Sequence, residues 1–566
     1  QYTLVGAVTA LRSLTFLTLI MKGANMHAIE VRQPDIGEGD TPEEIIVLKG
    51  GDWRDLLAEY ARRTARRMQV PPLDTRRNLT GYCTWYYYYA EVTEKDFLEN
   101  VEAMRRHLDG AYRAQVVQIV SVRLARLHHL GVVDMRILYL DLDTLRPDHL
   151  GCYGYLRDTS PHIDRLAAEG TRFEHCYATD TPCLPSRAAL FHGRFGIHTG
   201  IVSHGGTAAD ERLEGAPRMF RQSRDGASWM DVLREAGFYT VSVSPFAERH
   251  SAWWFYRGFS EMYNPGKGGS ERADEVAPLA IDWIRRHGRE DNWFLQVNMW
   301  DPHTPYRTPV EYGNPFEGQP IEGWLTDEQI RRDYAAYGPH SAQDPAGYGP
   351  NDTEHHPRLP RDVASLDDYR RWIDGYDTGI RYMDDHIGRI LAALEEAGVL
   401  EDTAVIVSSD HGENQGELNV YGDHQTADYV TNRIPLIVRW PGLPAGQVDS
   451  GLHYNLDLPP TTSDLLGARV PARWDGRSFA DSLRTGADTG RDHLILSQCA
   501  WSCQRSVRFG PYILIRTYHD GLKDYPPVML FDIERDPHEQ VNLADARPDV
   551  VNEGLACLER WQAEMM

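Results

Sequence analysis

From residue 135 to about residue 490, apolar runs of strand length alternate with amphipathic stretches of helix length. One helix has its start and stop marked in the sequence, with Ser160 before Pro161 and Gly170 after the last apolar position. This alternation predicts an α/β fold with a doubly wound, mostly parallel sheet and helices on both faces. Ligands of such a fold bind at the C-terminal ends of the strands. The predicted strands are 137–142, 238–244, 293–300, 403–409 and 434–440, and the predicted helices include 228–236, 274–287 and 367–397.

Two further segments flank the predicted α/β domain of residues 135–490. Residues 491–566 contain short apolar runs separated by turn residues, which predict a small antiparallel sheet. Residues 1–134 form an N-terminal extension, in which the aromatic run 81–108 predicts a strand and an amphipathic helix. Within the α/β domain, the Pro- and Gly-rich stretch 301–366 is predicted to be a long loop that sets substrate specificity.

Charge and hydropathy argue against several classes of function. The formal net charge of -24 would repel nucleic acids and anionic membranes. The apolar stretch 14–21 is shorter than the roughly 20 residues of a membrane-spanning helix, so neither a membrane span nor a signal peptide is predicted. The seven cysteines are sparse, which favours a cytoplasmic chain over a periplasmic or secreted one. Two of them, Cys499 and Cys503, are interpreted as buried thiols.

Acidic residues and histidines follow several of the predicted strands. Asp141 and Asp143 end the first strand, His303 follows the strand 293–300, and Asp410 and His411 follow the strand 403–409. Asp141 and Asp143 are two positions apart and therefore face the same side of their strand. With Asp410 they would form an oxygen-rich cage for one divalent cation. Ca²⁺ fits this cage best, and the imidazole of His411 makes Mn²⁺ or Mg²⁺ compatible with it.

Cys183 precedes a predicted helix that Pro185 and Ser186 open and Gly193 ends. An anion beside this cysteine would lie over the positive end of the helix, and Arg187 adds a fixed cation. The residues alone leave three roles open for Cys183: an inert thiol, a thiolate nucleophile, or the precursor of a modified side chain.

The stretch CLPSRAAL (183–190) resembles the type I sulfatase signature C-x-P-S-R. DTLRPDHLGCYG (143–154), DPHTPY (301–306), SDHGE (409–413) and LFDIERDPHEQVNLA (530–544) follow the order of the same family. The resemblance implies a sulfuric ester hydrolase whose cysteine is oxidised to formylglycine by a formylglycine-generating enzyme. One hydroxyl of the hydrated aldehyde would attack the sulfur of a sulfate ester, and the second would allow release of the sulfate. A serine could accept the group but could not release it this way.

The same resemblance implies roles for individual residues. Asp143, Asp410 and His411 match metal ligands, with residue 183 beside the metal; Arg187 steadies the formylglycine, and His303 contacts the sulfate or the leaving oxygen. The sequence also departs from the family, because Thr144 stands where most members have a second aspartate and two substrate lysines are missing. We expect His250 and His424 to replace those lysines. Arg249 and His204 are further candidates for substrate binding.

Two alternative functions remain open at this point. Asp410-His411 and Thr144 follow the pattern of phosphonate monoester and phosphodiester hydrolases, whose substrates resemble sulfate esters in shape and charge. The missing lysines are also compatible with a binding protein that has lost catalytic activity. The expected substrate is a small-molecule or saccharide sulfate ester. The sequence is compatible with a homo-oligomer but does not determine the oligomeric state.

Residues 45–119 resemble the first strand and helix of the catalytic barrel in glycoside hydrolases of the α-galactosidase clan. The segment is too short for a complete barrel, so it is interpreted as a glycoside-hydrolase-like fragment without activity. Its aromatic positions 85–89 are predicted to pack in a strand rather than to stack on a sugar.

Overall fold

The computed structural model describes residues 135–211, 227–336, 338–345, 347 and 350–565, and the backbone of six strands before them. The chain divides into two compact units, residues 1–126 and 127–566. The predicted helix within 81–108 and the aromatic positions 85–89 lie outside the described residues. None of the described helices is long and apolar enough to cross a membrane. The six early strands are β1 (Tyr2–Ala7), β2 (Phe16–Lys22), β3 (Asn25–Arg32), β4 (Ile45–Gly50), β5 (Thr80–Cys83) and β6 (Ala114–Gln118).

The second unit contains two larger sheets and the helices around them. Its strands are β7 (Arg136–Leu142), β8 (Thr171–Tyr177), β9 (Asp180–Thr181), β10 (Tyr239–Val243), β11 (Glu261–Tyr263), β12 (Trp293–Met299), β13 (Thr403–Ser408), β14 (Asn414–Gln415), β15 (Tyr421–Asp423), β16 (Arg433–Arg439), β17 (Gln447–Tyr454), β18 (His493–Gln498), β19 (Cys503–Phe509), β20 (Tyr512–His519) and β21 (Val528–Asp532). Its α-helices are α1 (Pro161–Glu169), α2 (Cys183–His192), α3 (Gly196–Thr199), α4 (Trp229–Glu235), α5 (Phe246–His250), α6 (Ala273–His287), α7 (Asp327–Ala335), α8 (Leu366–Ala397), α9 (Tyr429–Asn432), α10 (Leu458–Leu465), α11 (Ala480–Thr485) and α12 (Pro548–Met565).

The central sheet has eight strands in the order β11-β10-β12-β7-β13-β16-β8-β17 and is mostly parallel, as predicted. β16 is the exception, because it runs antiparallel to both of its neighbours, β13 and β8. The chain between β13 and β16 contains only short elements: the hairpin β14–β15, a 3-10 turn at Glu417–Asn419 and the single-turn helix α9. Without a long helix to cross the sheet, the chain returns from the edge where β13 ends, and the next strand points the other way.

The central sheet is covered on both faces, as a sheet of parallel strands requires. Along β7, Leu138, Leu140 and Leu142 pack into one apolar cluster, whereas Ile137 and Tyr139 pack into another. The long helix α8 belongs to the first cluster and lies against α6. Its N-cap Ser365 accepts a hydrogen bond from the backbone N–H of Asp368, and its C-terminus is closed by Gly398 at φ 73°.

The stretch 301–366 was predicted to be a loop, but part of it is helical. Helix α7 begins after Thr326, whose side chain accepts a hydrogen bond from the backbone N–H of Gln329. Ile330 and Asp333 of this helix are buried. The sequence pattern did not reveal the helix, because a segment of this length offers few apolar positions for a periodic signal.

The smaller sheet has the order β21-β20-β19-β18-β9 and is antiparallel except where β9 joins it. The short strand β9 pairs in parallel with β18, and Cys183 follows it after Pro182. Because β9 is part of the C-terminal sheet, that sheet holds the segment that leads into Cys183.

His538, in the C-terminal region, makes the stability of the fold pH-dependent. Its imidazole lies 2.8 Å from Glu417 and 3.3 Å from Glu322, and it stacks on Trp324. Burial lowers its pKa, but the two carboxylates outweigh burial and raise the pKa to about 9. Since the folded pKa exceeds that of the unfolded chain, this stabilisation is complete below about pH 6.5 and is lost as the pH rises through about 9.

We therefore expect the free energy of unfolding to fall by up to about 3 kcal/mol between pH 6.5 and pH 9.5. Urea titrations at the two pH values measure this change. His538→Gln should remove most of the pH dependence, whereas His355→Gln, at an exposed histidine, should leave it intact. An unchanged slope in His538→Gln would contradict the assignment.

Candidate active site

Cys183 is the first residue of helix α2 and is buried at 1% exposure. The helix therefore begins two residues earlier than predicted. The Sγ atom lies 3.1 Å from Nε2 of His411, and Ser186, one turn on, donates a hydrogen bond to the backbone oxygen of Asp410. Burial, together with the charges of Asp143 and Asp410, raises the pKa of the Cys183 thiol well above its usual value. Both effects favour the protonated thiol over the thiolate.

The structure brings four predicted residues together at the C-terminal ends of β7 and β13. Asp143, Cys183, Asp410 and His411 each present a donor atom, and these atoms all lie within 4.8 Å of one another. His411 donates from Nδ1 to the backbone oxygen of Gly412 at 2.7 Å, which directs Nε2 towards the group.

This group suits a divalent cation. The two carboxylates, the imidazole and the thiol of Cys183 offer two oxygens, one nitrogen and one sulfur. Oδ1 of Asp143 is buried and has no hydrogen-bond partner, as a ligand atom would in the absence of its metal. Burial and the charge of Asp410 raise the pKa of Asp143 well above its usual value. For Asp410, burial is outweighed by Arg187 and His411, so its pKa is lowered.

Asp141 was predicted to be a metal ligand, but the structure places it outside this group. Its carboxylate accepts two hydrogen bonds from Arg187, from Nε at 3.0 Å and from Nη2 at 3.0 Å. A third hydrogen bond comes from Nε2 of Gln296 at 2.8 Å. Arg187 contacts both aspartates: its Nη1 donates to Asp143, and its Nε and Nη2 hold the carboxylate of Asp141.

The predicted histidines form a cluster beside the four-residue group. The ring centroids of His424 and His411 are 4.0 Å apart, and His303 follows at 6.0 Å from His424. His204 lies 5.0 Å from His250 and 6.2 Å from His424. The structure therefore brings His204, His250, His303 and His424 together at one place.

Burial is the main reason why these four imidazoles are neutral. It lowers the pKa of His204 to about 3 and that of His250 to about 2, and neighbouring cations add to the effect. The pKa values of His303 and His424 are also lowered well below the usual value. Neutral imidazoles donate and accept hydrogen bonds, so the cluster presents polar groups without adding charge.

Arginines supply the positive charge near the cluster. The guanidinium of Arg249 lies over the ring of Trp300 at 4.8 Å, and that of Arg187 lies over the same ring at 5.6 Å. Sequence reasoning missed Arg307, whose Nη1 is buried without a hydrogen-bond partner. Burial and Arg249 lower its pKa to about 10. Its position directly after DPHTPY, which contains His303, was the available signal.

Trp501 is the second residue that sequence reasoning missed. Its ring lies 5.0 Å from that of His204 and 5.8 Å from that of His424. It stands in the turn between Cys499 and Cys503, whose sulfur atoms are 3.7 Å apart. Both cysteines are free thiols, as predicted, but they are half-buried rather than buried. The turn lies at the end of the β18–β19 hairpin, and most of its residues are half-buried.

Comparison with protein-family models shows to which family the chain belongs. The sulfatase family model matches residues 136–468, more than half of the chain. The chain belongs to the sulfatase family. It is a sulfuric ester hydrolase with an α/β fold of the alkaline phosphatase type. A second model, the C-terminal region of N-sulphoglucosamine sulphohydrolase, matches residues 418–555.

Individual members of the sulfatase family are distant in sequence. An N-acetylglucosamine-6-O-sulfatase from Bacteroides thetaiotaomicron is 24% identical over 72% of this chain and 82% of its own length. A solved complex with the substrate D-glucosamine-2-N,6-O-disulfate matches 76% of this chain and 98% of its own, at 19% identity and a TM-score of 0.62. A phosphonate monoester hydrolase from Silicibacter pomeroyi matches 76% and 94%, at 22% identity and a TM-score of 0.59.

Proposed function

We propose that this sulfatase hydrolyses a saccharide sulfate ester, using a formylglycine made from Cys183 and one divalent cation. The observation that carries the proposal is the position of Cys183. It is the first residue of a helix, is buried, and lies in one group with Asp143, Asp410 and His411. The stretch CLPSRAAL that begins with Cys183 resembles the sulfatase signature whose cysteine becomes formylglycine, and this resemblance supports the modified side chain.

Asp143, Asp410 and His411 would hold the cation, with Ca²⁺ fitting the carboxylates and Mn²⁺ or Mg²⁺ compatible with the imidazole. When bound, the cation supplies positive charge close to residue 183 and to the sulfate. The formylglycine supplies an oxygen nucleophile that the encoded thiol lacks. Maturation would require a formylglycine-generating enzyme.

The chain's own residues would bind the sulfate and orient it towards residue 183. Arg187 is fixed beside residue 183 through Asp141 and would keep the nucleophile in place. His424, which is neutral, would donate a hydrogen bond to the sulfate or the ester oxygen, where charge develops in the transition state. The neutral imidazole of His303 donates from Nδ1 to the backbone oxygen of Thr304, so its Nε2 would accept a hydrogen bond from the substrate. Arg249 would offset the charge of the anionic substrate. His204 and His250 would complete the polar wall of the site.

Two observations support a saccharide as the alcohol part of the substrate. Trp501 places an aromatic ring beside His424 and His204, and such rings stack on the apolar faces of sugars. The relative from Bacteroides thetaiotaomicron is named for activity on an N-acetylglucosamine sulfate, and the matched complex contains a glucosamine disulfate.

The test combines a mass measurement with a comparison of two substrates. The protein is produced with a formylglycine-generating enzyme, and the peptide that carries residue 183 is expected to have the mass of the aldehyde. The same sample should hydrolyse an aryl sulfate and a glucosamine 6-sulfate faster than an aryl phosphonate. The phosphonate is the relevant competitor, because the Asp410-His411 pair follows the phosphonate hydrolase pattern. A faster phosphonate reaction, or full activity with an unmodified thiol, would overturn the proposal.

A further inference from the structure

The carboxylate of Asp141 accepts three side-chain hydrogen bonds. It is 1% exposed, and its two oxygens accept from Nε and Nη2 of Arg187 in a bidentate pair. Gln296 on the neighbouring strand β12 donates a further hydrogen bond at 2.8 Å. Bidentate pairs of this type fix the plane of the guanidinium as well as its position.

Gln296 is itself held in place by the sheet. Its Oε1 accepts a hydrogen bond from Ser242 of β10 at 2.8 Å, and Ser242 and Gln296 are opposite each other in the parallel pair β10–β12. A buried chain of hydrogen bonds therefore runs from Ser242 through Gln296 and Asp141 to Arg187. A second chain of hydrogen bonds runs from Ser244 to Asn298, and Asn298 donates to the backbone oxygen of Asp141 rather than to its carboxylate.

The third nitrogen of Arg187 points the other way, towards the candidate metal ligands. Nη1 donates to Oδ2 of Asp143 at 3.0 Å and to Oδ2 of Asp410. Arg187 is therefore shared between a carboxylate outside the ligand group and two carboxylates inside it. When ionised, the three carboxylates and one guanidinium carry a net charge of -3 + 1 = -2, which a divalent cation balances.

We propose that Asp141 is a positioning residue that acts through Arg187. By holding Nε and Nη2, it keeps the guanidinium from turning fully onto Asp143 and Asp410, so these carboxylates stay available to the cation. Gln296 supports Asp141 in this role. The inference rests on the proposed function, since it assumes that the ligand group binds a divalent cation.

The test is a double-mutant cycle read out by metal binding. Binding of Mn²⁺ and Ca²⁺ to the purified, metal-free protein is measured by calorimetry for the parent, Asp141→Asn, Arg187→Met and the double variant. Asp141→Asn is expected to weaken metal binding at least 10-fold in the parent, because the freed guanidinium competes for Asp143 and Asp410. In the Arg187→Met background the same change should cost less than 3-fold, because no guanidinium is left to position.

Three other results would overturn the inference, and they distinguish its failure from the failure of the proposed function. A loss of 10-fold or more in both backgrounds would make Asp141 a direct ligand. A parent protein that binds neither metal would overturn the proposed function along with the inference. Normal metal binding by the parent and an unchanged affinity in Asp141→Asn would overturn the inference alone.

A second pair of variants covers the case in which Asp141→Asn fails to fold. Gln296→Leu removes the hydrogen bond to the Asp141 carboxylate without touching the ligand group, and it is expected to weaken metal binding about 3-fold or more. Ser244→Ala is the matched control, because its polar chain ends on the backbone of Asp141, and its affinity should equal that of the parent. Equal affinities in Gln296→Leu and Ser244→Ala would contradict the role of the chain.

Discussion

Cys183→Ser is expected to lower kcat for sulfate ester hydrolysis at least about 10³-fold, the loss typical of removing a nucleophile. The substitution approximately preserves the size of the side chain and removes the thiol from which the aldehyde would be made. A serine oxygen could still accept a sulfate, but it has no second hydroxyl to expel it. We therefore expect at most one equivalent of alcohol to be released per protein molecule, measured by a rapid-mixing assay with an aryl sulfate.

Cys557→Ser is the control for this experiment. It makes the same chemical change at a half-buried cysteine of the C-terminal helix α12 and should leave kcat unchanged. The thermal unfolding of both variants shows whether the fold is preserved. Multiple turnovers by Cys183→Ser at the parent's rate would contradict a catalytic role for residue 183.

The sequence predicted the parts of the fold that follow from local patterns. Strands such as β12 and helices such as α8 were predicted to within a few residues, because apolar periodicity and caps mark them. The direction of β16 was not predictable in this way. An antiparallel strand buried on both faces carries the same apolar run as a parallel one, and its direction depends on the path of the preceding chain.

For the active site, the sequence located the residues but not all of their contacts. Asp143, Asp410 and His411 follow strands that end at the same edge of the sheet, so their meeting was predictable. Asp141 stands equally well placed in the sequence. Its actual partner, Arg187, comes from a helix 46 positions away, and the bidentate pair decides the orientation of the carboxylate.

Trp501 and Arg307 show that sequence patterns do not reveal every side chain near the site. Arg307 directly follows the motif that contains His303, but the sequence does not show that its guanidinium lies near that histidine. Trp501 is far along the chain from the catalytic motifs, and it reaches the histidine cluster because the β18–β19 hairpin folds onto it. The C-terminal sheet brings Trp501 to His424 because the hairpin hydrogen-bonds to that segment, for example from Gln498 to the backbone oxygen of His424. Contacts of this type depend on tertiary packing and leave no periodic signal.

Asp410→Asn is expected to have the second large effect, a loss of metal binding of at least about 100-fold with a fall in kcat/KM of about 10³-fold or more. The amide retains the shape of the side chain and one oxygen, but it removes a charge from the centre of the ligand group. Arg187 and His411 hold the pKa of Asp410 below its usual range, which favours the ionised carboxylate. It should therefore contribute more to cation binding than any single neutral ligand.

Calorimetry with Mn²⁺ and Ca²⁺ and steady-state kinetics with an aryl sulfate measure the two effects. Asp402→Asn is the matched control, because Asp402 is an exposed acid directly before β13, the strand that Asp410 follows. A chelator should reduce the parent to the activity of Asp410→Asn, and excess Mn²⁺ should restore the parent but not the variant. The chelated parent could stay fully active while Asp410→Asn did not. In that case Asp410 would act on the substrate rather than through a cation, and the proposed metal site would be wrong.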